Sequence, residues 1–115
     1  MKQTTKNSVE FIYGLVETDL FNNTNTNFLK VGKGSNRDSG TSVNDRRNKL
    51  QTGNPRFLDI AFQIQTNASV STLETQIHQR LSPKRVHGEW FINNNDMDPI
   101  IKIIEEINEA LESQI

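Results

Sequence analysis

Four polar positions follow one another along the chain, and their side chains carry complementary chemistry. Tyr13 offers a phenol, Lys30 an ammonium group, Arg46 a guanidinium and Glu74 a carboxylate. A guanidinium can clamp a phosphate, a carboxylate can hold a hard divalent cation, and a phenol near positive charge can take part in proton transfer. If the fold brings them together, these groups suffice to hydrolyse a phosphodiester bond.

The length and composition limit the fold that can position them. With 115 residues, the chain is expected to be a single domain over residues 1–115. It has no cysteine, which excludes disulfides, thiolate zinc sites and a cysteine nucleophile. No apolar run approaches the ~20 residues of a transmembrane helix, and the first residues lack a signal-peptide pattern, so a cytoplasmic protein that does not enter a membrane is expected.

The charges are unevenly distributed, although the formal net charge is only −1. The segment from Lys30 to His87 has ten basic and four acidic residues, or +6, and the remainder has three basic and ten acidic residues, or −7. A basic middle segment suits a protein that meets a polyanion on one face. The alternative is that mixed charges merely keep a small domain soluble.

The hydrophobic pattern predicts an α+β fold of ββαβα order, with a small three-stranded antiparallel sheet flanked by helices. Its core spans about residues 9–92, and an extra amphipathic helix covers about 98–113. The strands are predicted at 9–16, 28–32 and 57–65, and the other helices at 43–51 and 71–81. Residues 17–27 and 33–41 are predicted as loops, and 88–92 as a short extended or turn-like patch.

Local signals refine these elements. Gly53 and Pro55 are expected to stop the first helix, and the spacing of Ser71 and Glu74 predicts a capping box at the start of the second. In the third strand the alternating pattern predicts one core face formed by Leu58, Ile60, Phe62 and Ile64. In the last helix the apolar stripe is expected to face the core, and it consists of Ile100, Ile103, Ile104, Ile107 and Leu111.

The order of short motifs along the chain is distinctive. Ile12-Tyr13 lies on the first strand, Lys30-Val31-Gly32 ends the second, and a Leu50 to Pro55 run reading LQTGNP ends the first helix. Glu74 and a later Gly-Glu-Trp-Phe stretch from Gly88 follow. This ordered set resembles the GIY-YIG nuclease superfamily. It is most similar to the branch in which a KIG or KVG run replaces YIG and in which LQTGNP and GEWF stretches recur, and it covers roughly Phe11 to Phe91.

The resemblance implies an Mg²⁺-dependent DNA endonuclease, with Mn²⁺ as an alternative ion, that uses one metal, a water nucleophile and little sequence specificity. By the same resemblance, Tyr13 would assist proton removal, Arg46 would clamp the scissile phosphate and Glu74 would bind the metal. Lys30 stands where the second tyrosine usually lies, and would hold phosphate or supply positive charge near Tyr13. His78, one turn after Glu74, would contact phosphate or order a water.

Six other basic side chains of the middle segment are expected to contact the DNA backbone, with an affinity that falls with salt. They are Lys33, Arg47, Lys49, Arg56, Lys84 and Arg85. A one-residue error in register would exchange Arg46 and Arg47. Glu89 lies near a polar site position of the family, or pairs with Arg85. The expected partner is DNA, with a homodimer as a further option, and proteins of this sort are associated with phages and mobile elements.

Each candidate also has a structural reading. Tyr13 can be a half-buried strand aromatic, Lys30 and Arg46 can be solvated surface residues, and Glu74 can cap its own helix. On these readings the chain is a DNA-binding module on the same fold that is catalytically weak or inactive, which the lysine at position 30 supports. A third reading is a small interaction protein that uses its isoleucine-rich last helix as a dimer face.

Overall fold

A computed structural model describes residues 10–19, 24–35, 43–54, 56–92 and 97–115. Within these ranges the strands are β1 (Glu10–Asp19), β2 (Thr24–Ser35), β3 (Phe57–Thr66), β4 (Arg85–His87) and β5 (Trp90–Ile92). The helices are α1 (Val43–Gln51), α2 (Val70–Arg80) and α3 (Asp98–Glu112), and a single 3₁₀ turn spans Ser82–Lys84. The bounds of α1 are those that the sequence predicts, and Gly53, with φ of 81°, follows its last residue.

The strands form one antiparallel sheet in the order β3-β1-β2-β5-β4. The predicted α+β fold with helices on a sheet is therefore confirmed. The sheet has five strands rather than three, because residues 85–92 fold into a small hairpin whose turn contains Gly88 at a φ of 58°. Strands of three residues are too short for an alternating pattern to identify them.

The β1–β2 hairpin is longer than predicted. β1 continues to Asp19 and β2 begins at Thr24, with Thr18 opposite Asn25 and Asp19 opposite Thr24. Part of the segment predicted as a loop therefore extends the ladder, because backbone pairing can continue where the side chains are polar. Residues 33–35 of the second predicted loop belong to β2, so that part of the prediction is wrong. Residues 20–23 and 36–41 of the two predicted loops lie outside the described residues.

The sheet buries apolar side chains on both faces. The main core joins one face of the sheet to α2 and α3, and a smaller cluster of Phe11, Tyr13, Leu15 and Ile60 lies on the other face. The pairing of β1 with β3 shifts by one residue, so Gly14 lies opposite Phe62 and Leu15 opposite Ile60. The prediction of a single core face on β3 is therefore wrong: this bulge puts Ile60 in the smaller cluster and Phe62 in the main core.

The second helix begins earlier than its sequence signal. Ser69, in extended conformation, is the N-cap, and its side chain accepts a hydrogen bond from the Thr72 amide at 3.3 Å. Ser71 is already helical, so the predicted capping box is wrong and Glu74 lies in the second turn. A residue there is too far along the helix to satisfy the free amides of the N-terminus.

The last helix packs onto the main core as predicted. Ile100, Ile104 and Ile107 are buried, and Ile103 and Leu111 are partly buried against the same core. The apolar stripe is therefore occupied within the chain, which removes the basis for the dimer-face reading. None of the described helices is long and apolar enough to span a membrane.

Candidate active site

A cleft of about 350 Å³ opens where β5 stops covering the edge of β2. At this end of the β2–β5 ladder, Trp90 lies opposite Lys30. The next β2 residue, Val31, donates from its amide to the Glu89 carbonyl at 3.0 Å. The cleft is lined by Tyr13, Lys30, Lys33, Lys49, Leu50, Glu74 and Glu89. Residues from β1, β2, α1, α2 and the β4–β5 turn thus meet at one place.

Tyr13 lies directly opposite Gly32 across the β1–β2 ladder. A Cβ atom on residue 32 would come within 2.6 Å of the Tyr13 hydroxyl oxygen, so only glycine leaves room for the phenol above β2. The ring is 3% exposed and packs against Phe11, with ring centroids 6.4 Å apart. Gly32 of the Lys-Val-Gly run therefore leaves the space that the Tyr13 side chain occupies, and this packing holds the phenol at the cleft.

The LQTGNP run connects α1 to β3 and orients the end of the helix. The Gln51 side chain accepts from the Leu58 amide at 2.8 Å and donates to the Arg56 carbonyl at 2.9 Å. These bonds tie the last turn of α1 to the start of β3. Lys49 and Leu50 of that turn line the cleft, so the run acts by positioning.

Glu74 combines burial with an unsatisfied oxygen. Its Oε2 atom is buried and has no hydrogen-bond partner among the described residues. Burial raises the pKa of Glu74 above its ordinary value of 4.5 and the nearby Glu89 raises it further, against the opposing effects of His78, Lys33 and Lys30. A buried carboxylate oxygen without a partner is costly unless a cation or proton satisfies it.

The donor set around Glu74 fits Mg²⁺. Oxygen is the ligand that this ion prefers, and Mg²⁺ keeps several waters while it binds one or two carboxylates. No cluster of three or more His, Asp or Glu side chains occurs within the described ranges, so a site here depends on Glu74 and not on a protein cage. Glu74 is the residue that would hold the ion.

Two lysines of β2 are anchored by neighbouring elements. The Lys30 ammonium, which is 12% exposed, forms an ion pair with the Glu89 carboxylate. Lys33 donates to the Ser71 hydroxyl of α2 at 2.9 Å. Glu89 thus pairs with Lys30 and not with Arg85, which instead donates from Nε to the Gly88 carbonyl at 2.7 Å.

His78 connects α2 to the edge of β2. Its Nε2 atom lies 3.0 Å from the Val31 carbonyl oxygen, and because a carbonyl can only accept, Nε2 carries the hydrogen. The imidazole also packs on Phe91, with ring centroids 5.3 Å apart. His78 does not line the cleft, so the structure places it between elements, where it orients the helix that carries Glu74.

Four of the remaining predicted residues, Arg47, Arg56, Lys84 and Arg85, are not among the described residues that line the cleft. Arg46 belongs to α1, but its side chain lies outside the described part of the chain. Arg47 lies 5.4 Å over the Phe57 ring and donates to the Leu58 carbonyl at 3.4 Å, so it packs on β3. Arg56 is 3.9 Å from the Glu17 carboxylate, and Lys84 and Arg85 are exposed.

The lining also contains a residue that sequence reasoning did not assign. Leu50 is 37% exposed in the wall of the cleft. Its only sequence signal is its position in the LQTGNP run, one helical turn after Arg46.

Among three comparisons with known proteins, the one with family models gives a match. A family model described as the T5orf172 domain matches residues 10–112. This phage-associated domain is related to nuclease folds of GIY-YIG-like and SRA-HNH type, and the match does not itself show membership of the GIY-YIG family. No curated protein and no solved structure gives a significant match.

Proposed function

Because the chain belongs to the T5orf172 domain family, we propose that it is a DNA endonuclease of GIY-YIG type that hydrolyses phosphodiester bonds with one Mg²⁺ ion. The observation that carries the proposal is the Glu74 carboxylate. It is half-buried, its Oε2 has no described partner, and it shares a cleft with Tyr13 and three lysines. A cation-binding oxygen beside ammonium groups matches the requirements of a reacting phosphate.

Each of the cleft residues has a separate role in this proposal. Glu74 would hold the ion, which when bound supplies positive charge that stabilises the leaving oxygen. Lys33 and Lys49 bind the phosphate oxygens as point charges. Tyr13, acting as the phenolate, accepts the proton of the attacking water and becomes the phenol, supported by the positive charge of the cleft.

Arg46 is the α1 arginine that we propose for the scissile phosphate. It precedes Lys49 and Leu50 by three and four residues, which is one helical turn, and both of those residues line the cleft. Arg47 is already engaged with Phe57 and Leu58 of β3. A guanidinium suits the role because it remains charged and can bind two phosphate oxygens at once.

A second candidate is a DNA-binding module without catalysis. The Lys30–Glu89 ion pair favours it, because Glu89 takes up positive charge that would otherwise be available to Tyr13 and the phosphate. On this reading the cleft binds phosphate through Lys33 and Lys49 and cuts nothing. The two candidates share the DNA-binding surface and differ only in turnover.

The test is cleavage of supercoiled plasmid with Mg²⁺ by the native protein, Glu74→Gln, Tyr13→Phe and the control Glu105→Gln on the exposed face of α3. Glu74→Gln is expected to lower the rate at least about a hundredfold, because metal charge stabilisation contributes several kcal/mol. Tyr13→Phe is expected to lower it about 10²–10⁴-fold. Glu105→Gln should cut at the native rate.

The outcomes separate the candidates. Cleavage that survives both site substitutions would show that the site is elsewhere. DNA binding by the native protein without cleavage in Mg²⁺ or Mn²⁺ would establish the binding module. Absence of both binding and cleavage at low salt would reject both candidates.

A further inference from the structure

Large apolar side chains lie exposed on the strands next to the cleft. Phe28 of β2 is directly opposite Ile92 of β5, and the two are 38% and 40% exposed. Trp90 is the next β5 residue on the same face, opposite Lys30, and it is half-buried. We call Phe28, Trp90 and Ile92 the aromatic patch. Adjacent exposed apolar residues of this size commonly mark a binding surface.

The aromatic patch is continuous with the cleft. Side chains two residues apart on a strand share a face and lie about 7 Å apart, so Phe28 is one step along β2 from Lys30. Lys30 lines the cleft, and its cross-strand partner on β1 is Leu15, on the face that also carries Tyr13. A ligand seated at Tyr13 and Lys30 therefore meets the patch if it extends along β2.

The charge around the patch indicates the chemistry of its occupant. The adjoining cleft is lined by Lys30, Lys33 and Lys49 against Glu74 and Glu89, and the exposed Lys84 and Arg85 precede Trp90 in the chain. Aromatic side chains beside ammonium groups match a nucleic-acid strand with unpaired bases, because each base offers a π face and each nucleotide a phosphate. In a duplex the base faces stack on one another and are not available to the rings.

We propose that the aromatic patch binds unpaired bases, so that the preferred substrate is DNA with a single-stranded segment beside the bond to be cut. The proposal rests on the proposed function for the identity of the cleft, but the binding itself requires no cleavage. It adds to the phosphate contacts a selectivity for DNA structure rather than for sequence. The phosphates of the bound strand would lie towards Lys30 and Lys33.

The single tryptophan of the chain provides a direct measurement. Trp90 fluorescence is followed in EDTA as the protein is titrated with a thymidine oligonucleotide of about 12 nucleotides, within the ~4–16 nucleotides that such surfaces cover. A blunt duplex of equal length is the comparison. The single strand is expected to quench the fluorescence and to bind about tenfold more tightly than the duplex.

Three variants test the aromatic contact. Phe28→Leu keeps apolar bulk but removes the ring, and is expected to weaken single-strand binding about tenfold, whereas Phe28→Tyr should retain it. Phe57→Leu is the matched control, since Phe57 is an aromatic of β3 with 41% exposure. Its affinity should stay within about twofold of the native value, because it lies on the strand at the other edge of the sheet.

The proposal is overturned if single strand and duplex bind equally and Phe28→Leu changes neither. It is also overturned if light scattering shows a doubled mass that Phe28→Leu abolishes, which would assign the patch to a second copy of the chain. Because the titration is made without metal, loss of cleavage in the plasmid assay does not affect it. If single strands quench the Trp90 fluorescence but the protein never cleaves the plasmid, the proposed nuclease activity is rejected and the proposed binding of unpaired bases stands.

Discussion

At the scale of single residues, the site depends on a carboxylate whose surroundings oppose its charge. Burial and Glu89 both raise the pKa of Glu74, and Oε2 has no partner among the described residues. Glu89 is itself held by Lys30, so the three side chains are electrostatically coupled. Such an arrangement costs stability in the absence of a ligand, and a bound cation would repay that cost.

Glu74→Gln is therefore expected to stabilise the metal-free protein at neutral pH. The folded state binds the Glu74 proton more tightly than the unfolded chain, so the native protein loses stability as pH rises from 4.5 through the folded pKa. Glutamine carries no charge and removes this loss. Thermal unfolding in EDTA should show the variant melting above the native protein at pH 7.5, with the difference vanishing below pH 4.5.

Mg²⁺ should reverse the order of the melting temperatures of the native protein and Glu74→Gln. Binding to the folded state raises the melting temperature of the native protein, by a stabilisation of about 2.7 kcal/mol at a hundred times the dissociation constant. Glu74→Gln should show no such rise, and Glu105→Gln should behave like the native protein. Equal Mg²⁺ shifts in all three proteins would contradict metal binding at Glu74.

At the scale of elements, Val31 joins three parts of the fold. Its amide donates to the Glu89 carbonyl, which attaches the β4–β5 hairpin, and its carbonyl accepts from His78 of α2. Lys30 and Gly32 flank this residue, and Glu74 precedes His78 by one turn of the helix. The backbone of Val31 therefore links the two β2 lysines of the cleft to the helix that carries Glu74.

His78→Leu is expected to loosen this connection. It removes the donor to the Val31 carbonyl, and leaving this buried acceptor unpaired costs about 1–3 kcal/mol. Both the melting temperature and the Mg²⁺-induced shift should fall, because Glu74 loses its fixed position. His78→Gln, whose amide can donate, should recover much of both, and Gln79→Leu on the exposed face of α2 should change neither.

The same variants separate positioning from direct contact with phosphate. If His78 acted on the substrate, His78→Gln would keep the native stability and the Mg²⁺ shift while losing cleavage. If it positions α2, cleavage should recover together with the shift.

At the scale of the whole molecule, the basic side chains of the cleft and most of the acidic side chains belong to different elements. The acidic helix α3 packs on the sheet face that carries Ile12 and Val31. The cleft draws on both faces, because Tyr13 lies on the opposite face whereas Lys33 lies opposite Ile12 and donates to Ser71 of α2. The cleft lysines come from β2 and α1. A polyanion would therefore be attracted to the cleft side and kept away from α3, although the net charge is close to zero.

DNA affinity should consequently depend on salt through the cleft lysines. Each neutralised phosphate contributes a slope of about −0.9 in log K against log salt on duplex DNA, so Lys49→Gln is expected to reduce the slope by about that amount. Lys102→Gln, an exposed lysine of α3, should leave it unchanged. Fluorescence anisotropy of a labelled duplex in EDTA over a range of salt gives both slopes. Equal changes in the two variants would indicate non-specific attraction without a docked phosphate.

The sequence by itself determined the elements whose signals are local. The bounds of α1, the stop at Gly53 and the core-facing stripe of α3 follow from residues within one or two helical turns. The order of Tyr13, Lys30 and Glu74 along the chain also identified three residues of one cleft, through a resemblance between motifs. Predictions from local periodicity and motif order agree with the structure because neither feature depends on the packing of distant segments.

Only the tertiary structure decided which groups meet. Lys30 pairs with Glu89, which is 59 residues away in the sequence, and His78 donates to the carbonyl of Val31, which is 47 residues away. The bulge that divides β3 between two faces, and the hairpin of residues 85–92, likewise arise from pairing with other strands. Composition and spacing report whether a position is apolar or polar. They do not report the partner of an ion pair or hydrogen bond, because that partner is set by how the elements pack against one another.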